Sequence, residues 1–197
     1  LNVCKEAIES AGLTAKVLTL RGKPIQSCIA CGQCGKLGKC ALNDGLNEML
    51  PEIREADGFI VGAPVYFGTA RGDVMNLLQR VGMVSRANGG WMSGKVGGPV
   101  VVARRGGQTA TLQEMLMMYF ICGMTVPGST YWNIAFGQAP GTVAEDEEGV
   151  ATMRTFAENV AFLLQTIRGQ PREKTVFFQT NHGSLSTSSC SCPLQTG

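Results

Sequence analysis

The chain of 197 residues is 44% hydrophobic and 16% charged, with a net charge of +2. That is length enough for one domain with a proper core, and too apolar for a disordered chain. The small net charge, with no basic stripe interleaved with aromatics, excludes nucleic acid as an expected partner, and no apolar run reaches the roughly 20 residues of a membrane span.

Residues 2–12 read as an amphipathic helix with Val3, Ile8 and Ala11 on one face, stopped by Gly12. Residues 16–20 alternate as a short strand. Next comes a run holding four of the eight cysteines, Cys28, Cys31, Cys34 and Cys40, spaced C-x2-C-x2-C-x5-C with glycines at 32, 35 and 38. Glycine lets such a loop turn its thiolates inward without a Cβ clash, and iron–sulfur clusters are held by four cysteines in runs of this kind. The tight spacing points to metal or redox use rather than disulfides, hence to a reducing, cytoplasmic setting. Asn43 and Asp44 then look like a helix cap, with Leu46, Met49, Leu50 and Ile53 on one apolar face and Pro51 kinking the helix or tightening its first turns. Asp44, Glu48 and Glu52 read as cap and helix-surface charge. Residues 58–62 form a short continuous apolar run, the pattern of a strand buried on both faces.

A loop at 63–69 follows, then a helix over about 70–82 with Val74, Leu77, Leu78 and Val81 inward. A second buried strand spans 96–103, a loop 104–109 and a helix 109–122, with Thr109 as its cap. A last strand is expected at 124–131 and a long helix at 148–168. This alternation predicts an α/β fold, a parallel sheet with helices on both faces. In such sheets ligands bind beyond the carboxyl ends of the strands. Three loops make that rim: the cysteine run, 63–69 and 104–109. The second carries Pro64, the adjacent aromatics Tyr66 and Phe67, and Gly68, which suit a flat ring; the third carries Gly106 and Gly107, where bare backbone can approach a planar ligand.

From 169 the composition turns polar, and 169–197 is expected to be a disordered tail in which Cys190, Cys192 and the only histidine, His182, are loose groups. Neither a Cys/His zinc finger nor a histidine general base is therefore expected. Two readings of the cysteine run stay open beside a cluster. One is a four-cysteine zinc site in a non-enzymatic binding module; the other is a loop that stays unmetallated.

The stretch 56–68, Ala-Asp-Gly-Phe-Ile-Val-Gly-Ala-Pro-Val-Tyr-Phe-Gly, followed by the helix ending at Arg80 and by Gly94-Lys-Val-Gly, resembles the NAD(P)H-dependent FMN reductases of the flavodoxin-like group. With the cysteine run ahead of it, the chain is most similar to the iron–sulfur flavoprotein branch, over residues 1 to about 168. The resemblance implies a doubly wound parallel sheet of order 2-1-3-4-5 with FMN bound. Pro64, Val65, Tyr66, Phe67 and Gly68 would line the isoalloxazine, and Arg104, Gly106 and Gly107 would flank it. Cys28, Cys31, Cys34 and Cys40 would hold a [4Fe–4S] cluster. It also implies NAD(P)H as donor, a protein or small-molecule electron acceptor, and a homodimer or homotetramer. No catalytic side-chain acid or base is required, because the cofactor carries the chemistry. The family pattern opens with a strand and a phosphate-binding loop, and Leu1 falls within the helix that follows them. The expectation is thus a flavodoxin-like domain over 1–168 lacking its first strand, with an inactive fragment as the alternative to an active enzyme.

Overall fold

The computed structural model describes residues 1–168; the expected tail, with His182, Cys190 and Cys192, lies outside the described residues. Helix α1 (Asn2–Ser10) leads through an extended stretch to the cysteine run, which contains one short helix, α2 (Cys34–Leu37). Then come α3 (Leu46–Glu55), β1 (Gly58–Tyr66), β2 (Thr69–Ala70), α4 (Gly72–Ala87), β3 (Val96–Ala103), α5 (Gln108–Ile121), β4 (Ile134–Phe136), a 3-10 turn (Thr142–Glu145) and α6 (Glu147–Arg168). The sheet order is β2-β1-β3-β4. Its spine is the parallel pairing of β1 with β3, from Gly58 against Val96 to Pro64 against Val102. β4 runs parallel to β3, with Val101 opposite Ile134.

Two apolar layers close on this sheet. Helices α3, α4 and α5 pack one face through Leu46, Leu50, Leu78, Val81, Met115 and Tyr119. Helices α1 and α6 pack the other through Cys4, Ala7, Phe156, Ala157 and Val160, together with Val96 and Val100 of β3. The continuous apolar runs of β1 and β3 are explained by this: their residues face helices on both sides. The expected α/β doubly wound architecture is therefore the observed one.

Three expectations change. The segment 16–20 forms no strand. A cleft of about 550 Å3 separates it from β1, lined by Leu13, Val17, Leu18, Leu20, Phe59 and Val61 among others. β1 meets β2 only at Val65 and Tyr66, and its residues 58–62 line the cleft, across which 16–20 forms no ladder with it. The last strand also moves. At 124–131 only Thr125 pairs, with Val96; Pro127 and Gly128 interrupt the ladder, and pairing resumes at Ile134. The cap expected at Asn43 and Asp44 is not one either. Gly45, at φ +92°, takes the position before the first turn of α3, and the buried Asp44 carboxylate, while it still accepts from the Leu46 amide at 3.5 Å, turns into the core toward Arg80.

Candidate functional site

The end of β1 is a hairpin that local pattern does not announce. Val65 pairs with Ala70 and Tyr66 with Thr69, leaving a two-residue turn of Phe67 and Gly68 with φ of +51° and +86°. Positive φ at both positions is the tight hairpin geometry whose twist suits flanking strands. Phe67 adopts it at a steric cost, and its ring is fully exposed. Backbone strain held at an exposed aromatic is the kind kept for binding.

The hairpin is fixed by α5. Glu114 Oε1 accepts from the Ala70 amide at 2.6 Å and from the Thr69 hydroxyl, and Thr111 Oγ1 donates to the Gly68 carbonyl at 3.5 Å. Glu114 and Thr111 lie more than 40 residues further along the chain, and in the sequence only helical phase, which places both on one face of α5, points to them. The loop after β3 closes on the same turn. Gly107, at φ +87°, approaches so closely that a Cβ there would lie 2.7 Å from Gly68 Cα and 2.9 Å from Val65 Cγ1. Gly107, not Thr109, precedes the first turn of α5. The rim thus brings Val65, Gly68 and Gly107 into one contact, beside exposed Tyr66, Phe67, Arg104 and Gly106. Next to Gly107, Gln108 Oε1 is buried without a hydrogen-bond partner, an acceptor that a bound molecule's N–H could satisfy.

The cysteine run is fastened elsewhere, along α4. Asn76 Nδ2 donates to the Ile25 carbonyl at 2.9 Å, and Ser27 Oγ donates to Asn76 Oδ1 at 3.1 Å. Arg80 reaches the Gln26 carbonyl at 3.0 Å, and Asn88 Nδ2 the Cys34 carbonyl at 3.1 Å. On α3, Asn47 clamps Cys40 from both sides, accepting from its amide at 3.0 Å and donating to its carbonyl at 2.9 Å. Among the described residues, hydrogen bonds tie the run to α3 and α4 rather than to 64–68 or 104–107.

Cys28 and Cys31 are exposed, Cys34 is half-buried and Cys40 buried. Among the described residues no three His, Cys, Asp or Glu side chains are gathered tightly enough to hold a metal ion. The Cys34 sulfur nevertheless lies within electrostatic reach of the other three. Burial, then charge on Cys40, Cys31 and Cys28, pushes the Cys34 thiol up. Arg80 Nη2 donates to Cys40 Sγ at 3.0 Å. In its chemistry, a donor set of four thiols on one glycine-bearing loop, one of them accepting a charged N–H, suits a thiolate-bound centre. Cys4 and Cys122 are core residues whose thiols burial pushes up, so they are inert.

Arg80 is a charge that the fold buries. It is 1% exposed and forms a two-point ion pair with Asp44, Nη1 to Oδ2 at 2.5 Å and Nη2 to Oδ1 at 3.1 Å. Burial would lower its pKa, but the hydrogen bonds to Asp44 and Cys40 outweigh that and hold it above the ordinary value.

The family model described as NADPH-dependent FMN reductase matches residues 1–139. An iron–sulfur flavoprotein of Methanocaldococcus jannaschii is 34% identical over 169 residues, covering 82% of this chain and 86% of its own. One of Methanosarcina thermophila is 30% identical, covering 83% and 85%. Among solved structures, RosB with a bound flavin-derived intermediate superposes with a TM-score of 0.63 at 15% identity, covering 99% of this chain and 88% of its own. A flavodoxin-like WrbA-like protein of Agrobacterium tumefaciens gives 0.54 at 18%, covering 84% and 89%. These last two likenesses speak to the fold, which is flavodoxin-like. With the sheet and the sequence relatives in agreement, the chain belongs to the NADPH-dependent FMN reductase family, a flavoprotein oxidoreductase family, on its iron–sulfur flavoprotein branch.

Proposed function

We propose that this protein takes reducing equivalents from NAD(P)H on FMN and passes them singly, through a [4Fe–4S] cluster, to a protein or small-molecule acceptor. FMN, when bound, accepts a hydride and can release electrons one at a time; a cluster stores one electron. Pro64, Val65, Tyr66, Phe67, Gly68, Arg104, Gly106 and Gly107 would hold the flavin, and Cys28, Cys31, Cys34 and Cys40 the cluster. The observation that carries the reading is the contact of Gly107 with Gly68 and Val65 beneath an exposed, strained Phe67.

The chain's own residues have limited tasks here. Gly107 and Gly68 leave backbone bare where a ring must approach closely. Phe67 and Tyr66 offer apolar surface that excludes water from the ring, and Gln108 Oε1 offers an acceptor to a ring N–H. Exposed Arg104 and Arg105 bring positive charge to the rim, which suits phosphate-bearing nucleotides. Exposed Met117, Phe120 and Ile121 on α5 support a homo-oligomer, since apolar side chains in such a group favour cover.

An anaerobic preparation is expected to show flavin absorption with a broad iron–sulfur shoulder and about four irons per chain. Cys34→Ser is expected to lose the iron and keep the flavin. Zinc in place of iron, with no flavin, would overturn the reading; flavin without iron would leave a reductase and remove the cluster. A second expectation concerns the cleft. The Leu1 side chain lies against Gly62 at the middle of β1. A strand-forming apolar segment added ahead of Leu1 is expected to pair with the open β1 edge, raising both the melting temperature and flavin occupancy. Unchanged values for both would count against it.

A further inference from the structure

The four terminal N–H bonds of the Arg80 guanidinium are all spoken for. Two go to the Asp44 carboxylate, one to the Gln26 carbonyl and one, at 3.0 Å, to Cys40 Sγ. Asp44 in turn accepts the Gln26 amide at 2.8 Å. The pair is 1% exposed on both side chains, wrapped by the core cluster that includes Leu46, Leu77 and Val81. Such a pair is a poor way to gain stability, because taking two charges out of water costs about what their attraction returns. Well-packed apolar residues would serve the core as well. What apolar residues cannot do is present a fixed N–H to a sulfur. A neutral thiol is a weak acceptor and a thiolate a strong one, so a guanidinium held rigidly against Cys40 suits the sulfur in its metal-bound form.

We propose that the Asp44–Arg80 pair is a positioning device for Cys40, holding its sulfur in an N–H···S hydrogen bond that raises the reduction potential of the cluster; this rests on the cluster reading given above. Asp44 orients the guanidinium and cancels its charge, so that the Nη2–H dipole rather than a bare cation acts on the sulfur. A donor to a ligand sulfur stabilises the more electron-rich state, since added charge spreads onto the sulfurs. Asn47 does a different job: it holds the Cys40 backbone and touches no sulfur.

The test is a redox titration of the iron-loaded, FMN-bound protein under anaerobic conditions, followed by electron paramagnetic resonance, with iron content measured on the same samples. Arg80→Lys keeps a charge but loses the fork; Asp44→Asn with Arg80→Gln removes both charges together and strands neither. Each is expected to retain iron and to lower the reduced-to-oxidised ratio at fixed ambient potential up to about tenfold, equivalent to 59 mV for one electron. Asn47→Ala is expected to lose iron more readily while any cluster it keeps has the wild-type potential. Wild-type potential in the double variant, or in Arg80→Lys should the double variant not fold, overturns the proposal alone. A wild-type chain that takes up no iron overturns the cluster reading and the proposal with it.

Discussion

Asp44→Ala is expected to cost about 3–5 kcal/mol of stability, because it leaves the Arg80 guanidinium charged in the core without a counter-ion. For a chain of this size each kcal/mol is worth roughly 2–4 °C of melting temperature, so the drop is large enough to read from a single thermal scan. The surface supplies a control. Lys23 and Glu48 pair at 2.5 Å with Glu48 well exposed, and Glu48→Ala is expected to change stability by less than about 1 kcal/mol. Equal effects from the two substitutions would mean that the buried pair has no special weight. Acid adds a second reading of the same interaction. Burial works to raise the Asp44 pKa, but the hydrogen bonds from Arg80 and from the Gln26 amide outweigh it and hold the carboxyl below the usual range. A depressed folded value means the stabilisation is complete above the unfolded carboxylate pKa and is lost as pH falls through the folded one. The gap between wild type and Asp44→Ala should therefore hold at neutral pH and narrow only in strongly acid buffer.

Gly107→Ala is expected to weaken FMN binding at least tenfold, and Gly106→Ala next to it to weaken it less; tenfold is 1.4 kcal/mol. At Gly107 an added methyl meets Gly68 Cα at 2.7 Å and sits on a backbone with φ +87°, which costs a non-glycine residue roughly 1 kcal/mol or more before any clash. The hairpin must lift to make room, and with it Tyr66 and Phe67. At Gly106 nothing lies within 4 Å and φ is not positive. Titration of FMN by fluorescence quenching measures both. Equal losses would show that the contact between the two loops does not shape the site.

Much of the framework could be read from the chain because it is written locally. β1 and β3 appear as unbroken apolar runs, and α4, α5 and α6 as apolar residues in helical phase. What was not legible depends on partners far along the chain. The hairpin has a phenylalanine where asparagine or glycine would signal a tight turn, and it forms because Glu114 takes the donors of Thr69 and Ala70. Asp44 has the sequence look of a cap, and only a partner 36 residues away draws it inward. A hint was present in the phase of α4: position 80 falls between the buried Leu77 and Val84, so a charge there requires a buried counter-charge. The strand expected at 16–20 is absent for the opposite reason. Its alternation is real, but a strand exists only beside another, and β1 lies across a cleft from it.

Asn76 and Arg80 stand four residues apart on α4, and Asn88, eight residues further on, caps its end, so about one and about two turns separate the three points at which the cysteine run is fastened. The helix therefore acts as a ruler read by phase. Deleting a single residue between Arg80 and Asn88 would leave composition and hydrophobicity almost untouched. It would also rotate the lower anchor by about 100° against the upper two, turning Asn88 away from Cys34 while Arg80 kept its place on Cys40. Spacing along this helix is thus under a stricter constraint than the identity of most residues on it, and related chains should vary in loop length around the cysteines before they vary in the number of residues between these anchors.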